Sequence, residues 1–317
     1  MLLTLLTILV PVFGLILLGG WLRVRGFLDE PMEKAFNKFC YYIALPLFIF
    51  LKSAQSPTLN AEALKTAGAL TLVTLGLLIC GSVCVKVIRL PQRSAGTFTQ
   101  ATFRGNLAYI GLPVIAFAVS DRSAGIQAQA ESLAILSMAP GVFVYNLLGV
   151  MVLEWDRRHE RQGHPLLSCV ESTLKNPLII ACVLGFTWNA LSWSLPVLFI
   201  KTMTPITQTA FPLALLAIGA RIAVLNWKQG LGPALAVSVV KNGGGLLLGY
   251  VFCQLLGLEG LNRLVILVLS TCPTAIASYV LVDQLDGDRD LAASSIAVTH
   301  LGSILALSAA LWIGLSL

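Results

Sequence analysis

The sequence predicts an all-α integral membrane protein of ten transmembrane helices, built as two inverted five-helix repeats with broken, crossing helices at the fourth and ninth positions. Three observations predict it. Hydrophobic residues make up 57% of the 317, charged residues only 11%, and mean hydropathy is +0.85, whereas soluble chains are roughly a quarter charged. Apolar stretches of about 20 residues, enough to cross the hydrocarbon core, recur along the whole chain and leave no room for a soluble domain. Finally, Gly111-Leu112-Pro113 and Cys272-Pro273-Thr274 interrupt two of those stretches at corresponding places in the two halves. A helix at membrane depth breaks only where protein or a water-filled cavity satisfies the freed backbone groups, so a matched pair predicts a shared polar site near the midplane.

The predicted spans are 2–20, 33–52, 63–88, 97–119, 124–153, 173–192, 197–222, 232–256, 260–283 and 291–315. The first is apolar from Met1 to Gly20, with Arg23 and Arg25 after it rather than before it, which predicts a retained span and not a cleaved signal. The one strongly charged connection, Glu154 to His164, falls near the middle of the chain. It predicts a cytoplasmic linker over 154–170 between repeats at 1–153 and 171–317.

Short cytoplasmic loops are enriched in Lys and Arg. Connections after odd-numbered spans carry Arg23, Arg25, Lys86, Arg89, Arg93, Arg157, Arg158, Arg161, Arg221, Lys228 and Arg289, against mainly Lys52, Arg122, Lys201 and Arg263 on the other side. Both termini are therefore expected to face outward, periplasmic for a bacterial inner membrane. Five spans per half invert the second half, and Ala44-Leu45-Pro46-Leu47 is echoed by Ala210-Phe211-Pro212-Leu213, 166 positions on, close to the 160 that separate Pro113 from Pro273. A matched order of landmarks is what an inverted repeat leaves behind.

Several function classes are excluded. The net charge of +6 sits in short loops beside the spans, ordinary topology signalling rather than a nucleic-acid surface. The seven cysteines include no C-x-x-C pair, and His159, His164 and His300 form no cluster, so neither metal site nor cofactor is expected. No G-x-x-x-x-G-K-[ST], H-E-x-x-H or G-x-S-x-G occurs, which leaves ATP-driven transport and hydrolysis without support. The chain reads as no enzyme but as a gradient-driven carrier, with proton or sodium coupling both open.

Candidate site residues cluster at the breaks. Asn106 lies about two turns before Pro113, whose missing amide disrupts the helical ladder, and the half-helix start that follows suits a carboxylate. Tyr109 and Gly111 lie between them. Around the second break, Ser270, Thr271, Cys272, Pro273 and Thr274 are small or hydroxylated. Asn146, with Tyr145, in the fifth span either faces the crossing or serves as a packing hydrogen bond. Lys241 and Asn242, which precede Gly243-Gly244-Gly245 in the eighth span, are candidate coupling or gating residues, although Lys241 is near enough to the cytoplasmic end that it is expected to snorkel. Gly245 and Gly249 form a G-x-x-x-G suited to close helix packing. His300, beside Thr299 in the tenth span, is read as a titrating coupling group or a packing histidine.

Asn106-Leu107-Ala108-Tyr109-Ile110-Gly111-Leu112-Pro113 resembles the N-x-G-[FY]-[ILM]-G-x-P signature of the auxin efflux carrier family, with Ala108 in place of the usual glycine. That family includes bacterial malonate and other carboxylate permeases and is related to the plant PIN carriers. Asn176-Pro177, Phe211-Pro212-Leu213-Ala214-Leu215 with Gly219-Ala220, and Cys272-Pro273-Thr274-Ala275 extend the resemblance over the whole chain. It implies an NhaA- and bile-acid-transporter-like fold whose fourth and ninth helices cross at their prolines. It further implies a scaffold of helices 1, 2, 6 and 7, and a mobile core of helices 3–5 and 8–10 moving as an elevator. A homodimer in membrane lipid is implied as well, with Asn106 and Asn146 contacting the carboxylate of a small organic anion and Tyr145 nearby. The substrate expected is malonate-like or an auxin-like aromatic acid; an anion channel and a sodium-coupled bile-acid-type symporter are the alternatives.

Overall fold

The computed structural model describes residues 2–56, 61–155, 174–225 and 228–315, and every regular element among them is helical. In chain order these are α1 (Leu2–Val24), α2 (Glu30–Phe39), α3 (Leu45–Ala54), α4 (Ala61–Val87), α5 (Gln92–Phe103), α6 (Leu112–Ala118), α7 (Ala124–Trp155) and α8 (Pro177–Ala190). There follow α9 (Val197–Gln208), α10 (Ala210–Val224), α11 (Leu231–Ser238), α12 (Gly245–Leu256), α13 (Gly260–Thr271), α14 (Ala277–Gln284) and α15 (Arg289–Leu315). Three π-helical turns, Cys40–Ala44, Leu107–Gly111 and Val239–Gly244, join α2 to α3, lead into α6, and join α11 to α12.

Seven helical stretches are long and apolar enough to cross a membrane, and three apolar helices, Leu107–Ala118, Pro177–Ala190 and Gly260–Thr271, are shorter. These three belong to the spans predicted as fourth, sixth and ninth. Two are short because the chain breaks within the span. The third, α8, starts at Pro177 behind an N-cap in which Asn176 accepts from the Leu178 amide at 2.9 Å, a strong start signal. The linker expected over 154–170 falls, from residue 156 on, outside the described residues.

Packing follows small residues, as it must where lipid is as apolar as the side chains. Helix α1 runs against α10 so closely that a Cβ at Gly19 would overlap the Leu216 carbonyl and one at Gly219 the Ile16 carbonyl. Helix α3 runs against α8, where a Cβ at Gly185 would lie 2.6 Å from that of Ser53. Helices α4, α5 and α7 pack together, and α13 is enclosed by α4, α12 and α15. From Arg263 to Thr271 every residue of α13 is buried, the signature of a helix surrounded by protein on all sides.

The breaks correct one expectation. The second lies where it was predicted, between Thr271 and Ala277, but the first lies at Arg104, Gly105 and Asn106 and not at Gly111 to Pro113. Pro113 is instead absorbed. The Leu112 amide reaches back five residues to the Leu107 carbonyl, and the widened π turn relieves the clash a proline ring makes with the carbonyl four residues before it. Pro46 is handled the same way, with the Leu45 amide on the Cys40 carbonyl. The two broken helices therefore meet at an antiparallel bridge between Gly105 and Thr274, beside the proline of the second, Pro273, but well before that of the first, Pro113.

Candidate functional site

The crossing is held by backbone hydrogen bonds. The Asn106 amide donates to the Pro273 carbonyl at 2.8 Å, and the Ala275 amide donates to the Arg104 carbonyl at 2.9 Å. Thr274 fastens the second arm: its hydroxyl donates to the Ala101 carbonyl at 2.8 Å and its amide to the Thr299 hydroxyl at 3.1 Å. Extended backbone at membrane depth is tolerable only with such partners. Gly111 brings the π turn onto the second arm, since a Cβ there would lie 2.6 Å from Leu269 Cδ2 and 3.1 Å from Cys272 Sγ. Pro113 is buried beyond it.

The first arm carries the charge. Arg104, the C-cap of α5 and only 9% exposed, donates from Nη2 to Asn146 Oδ1 on α7 at 2.9 Å, and its guanidinium lies 5.6 Å from the centre of the Tyr145 ring. That distance is within cation–π range. Asn106, 4% exposed, has a side-chain amide nitrogen buried with no hydrogen-bond partner among the described residues. Gln100, one turn before Arg104 on α5, is fully buried, and neither its amide nitrogen nor its oxygen is hydrogen-bonded there. Gly149 on α7 makes the room: a Cβ there would lie 3.1 Å from the Gln100 amide nitrogen. Buried amides normally find partners, so these open ones on the same arm as Arg104 are groups left for a polar ligand.

Lys241 and Asn242 occupy the other side of the crossing. Lys241 is 2% exposed, and its ammonium donates to the Ser270 carbonyl at 3.2 Å rather than snorkelling to the interface. The π turn supplies the physical reason, because each added residue turns the helix face by about 100°. Asn242 donates to the Thr271 carbonyl at 3.2 Å, and its oxygen accepts from the Ser238 hydroxyl at 2.9 Å. The Gly245–Gly249 pair packs within the chain, where a Cβ on Gly245 would overlap the Ser270 carbonyl.

The remaining predicted residues divide. Tyr145 and Asn146 gather at Arg104, and Cys272, whose thiol lies 3.3 Å from the Val268 carbonyl, lines the second arm. Tyr109 packs instead against Ala44, Leu45 and Ala210, the paired landmarks of the two halves. His300 places Nδ1 2.7 Å from the Ile296 carbonyl one turn back, which makes that nitrogen the protonated one and leaves Nε2 without a hydrogen-bond partner among the described residues. Sequence reading gave no role to Arg104 or Gln100 and named Thr299 only as the neighbour of His300. A basic residue at a helix end inside an apolar span was the available signal for the first; nothing marked Gln100.

A hollow of about 470 Å³ opens between the Tyr42 π turn, α3 and α8, lined by residues such as Pro46, Phe50, Pro177 and Leu184. Its lining carries no charged side chain, whereas a second hollow of about 690 Å³ is lined by Arg93, Arg289 and the acidic residues Asp286, Asp288 and Asp290. Comparison with known proteins agrees on the class. Residues 4–313 match the family model described as membrane transport protein. An uncharacterized transporter of Methanocaldococcus jannaschii is 25% identical over 309 residues, 94% of each chain. With its membrane-crossing helices and a family match that runs almost from end to end, the chain belongs to the membrane transport protein family, the auxin efflux carrier family its sequence resembles.

Proposed function

We propose that the chain is a secondary transporter of a small organic anion, working by alternating access around the crossing at Gly105 and Thr274. The observation that carries this reading is the buried guanidinium of Arg104, set between Asn146 and Tyr145 beside the open amide of Asn106. A permanent positive charge with neutral amides at membrane depth suits a carboxylate, which a bidentate guanidinium holds well.

Taken together across their π turns and breaks, the described helices support a reading of ten crossings, five on each side of the undescribed connection. The bridge at Gly105 and Thr274 spans 169 positions, close to the 166 between Ala44 and Ala210, whose surroundings also pack together. This spacing supports two inverted repeats. The close pairing of α1 with α10 and α3 with α8 supports a scaffold, against which the group formed by α4, α5, α7 and α11 to α15 moves as an elevator. The loop charges support outward termini in a bacterial inner membrane, and the exposed apolar side chains of α1, Leu17 and Trp21 among them, support lipid contact or a homodimer through the scaffold.

The test is uptake into proteoliposomes, with small dicarboxylates and aromatic monocarboxylates offered in turn. Saturable uptake with counterflow is expected for one of these classes, and its loss in Arg104→Gln and Asn106→Ala. Uptake undiminished in both variants sinks the site. Ion currents without saturation or counterflow sink the carrier and leave a channel.

A further inference from the structure

Half-helix ends rich in free carbonyls are where coupling cations bind in carriers with broken helices, and the last turn of α13 is such an end. Its carbonyls are already taken. Leu267 accepts from the Thr271 hydroxyl at 2.7 Å, Val268 lies 3.3 Å from the Cys272 thiol, and Leu269 accepts from the Cys272 amide at 3.4 Å. Ser270 accepts from the Lys241 ammonium and Thr271 from the Asn242 amide, both at 3.2 Å. Two residues past Thr271, the Pro273 carbonyl accepts from the Asn106 amide.

Only one of these donors carries a full charge. The ammonium of Lys241 faces the negative end of the α13 dipole and lies 3.4 Å from where a Cβ of Gly105 would stand, directly behind the crossing. No carboxylate forms an ion pair with it among the described residues, and the buried acidic residues, Glu33 and Glu131, belong to α2 and α7. Its partner is the helix end itself. The backbone makes room for it on both sides, through glycine at 105 and through Gly245, which lets the segment carrying Lys241 press onto the Ser270 carbonyl.

We infer that Lys241 is a built-in cation that fills the position a metal ion would take at the end of α13, so that this arm of the crossing binds no sodium or other alkali cation. The transporter reading is needed only for the consequence in flux; the ion-binding claim stands on Lys241 alone.

Thermal unfolding of the purified protein in detergent, in sodium, potassium or choline chloride at equal ionic strength, tests it without any substrate. Wild-type protein is expected to melt at one temperature in all three salts. A saturable rise in sodium over choline of roughly 5 °C, the size expected for a site filled to about 100 times its Kd, overturns the inference. Lys241→Ala vacates the place and should acquire a saturable, alkali-specific stabilisation, whereas Lys241→Arg keeps the charge and should remain indifferent to the cation. If the alanine variant does not fold, Lys241→Gln, which keeps a donor and loses the charge, carries the same expectation. A folded, uncharged variant that remains indifferent to all three salts overturns it as surely as sodium binding by the wild type. In proteoliposomes, carboxylate uptake should be unchanged when choline replaces sodium on both sides. Absence of uptake for every carboxylate defeats the transporter reading and leaves the melting result standing.

Discussion

The two arms of the crossing are unequally furnished. On the second arm the end carbonyls of α13 are claimed, and Thr274 is fixed through both its hydroxyl and its amide. On the first arm, Arg104 leans on Asn146 while the amides of Asn106 and Gln100 stay open. A satisfied arm is a frame, and an unsatisfied one is a surface prepared for something else. On the proposed reading, the difference gives stability to α13 and its neighbours and recognition to α5 and α7.

That division can be broken by substitution. Gly245→Val forces a side chain into the Ser270 carbonyl and should be the most damaging change, costing about 3 kcal/mol or more as overpacking without room to relax; loss of monodisperse protein in size-exclusion chromatography is the check. Arg104→Gln should weaken carboxylate binding by roughly 100-fold, the upper range for a hydrogen bond to a charged group, as read by titration calorimetry with the transported acid. Asn106→Ala should weaken binding by about tenfold and leave the melting temperature almost unmoved, because the amide nitrogen it removes has no hydrogen-bond partner among the described residues to lose. A melting temperature that falls as far as binding does would place Asn106 in the frame and erase the contrast. Thr274→Val should do the reverse, lowering stability by about 1 kcal/mol for the hydroxyl bond to Ala101 with little change in affinity, measured on the same two instruments.

Much of the fold was legible because lipid imposes a length and a polarity on every span. The second break was found at its place because Cys272-Pro273-Thr274 carries both a proline and the gap. The first was displaced because the eye follows proline, and Pro113 sits in a π turn that absorbs it, while the real gap at Arg104-Gly105-Asn106 has no proline at all. Lys241 misled for a related reason. Distance along the helix pointed to the interface, but direction is set by a π turn that composition does not announce. Asn106, Tyr145 and Asn146 were legible as polar groups in apolar spans; which of them meet was decided by Arg104, whose side chain reaches from one helix to another across 42 positions of sequence.

The paired hydrogen bonds between Asn106 and Pro273 and between Ala275 and Arg104 have a mechanical meaning. Two half-helices that share backbone bonds cannot be pulled apart or slid past one another without leaving polar groups stranded in an apolar interior. Any inward or outward movement must therefore carry both arms together, as a single rigid block, with the shear displaced to its perimeter. The amide protons of Asn106 and Ala275 should accordingly be among the last in the molecule to exchange with deuterium, even while the carrier is turning over.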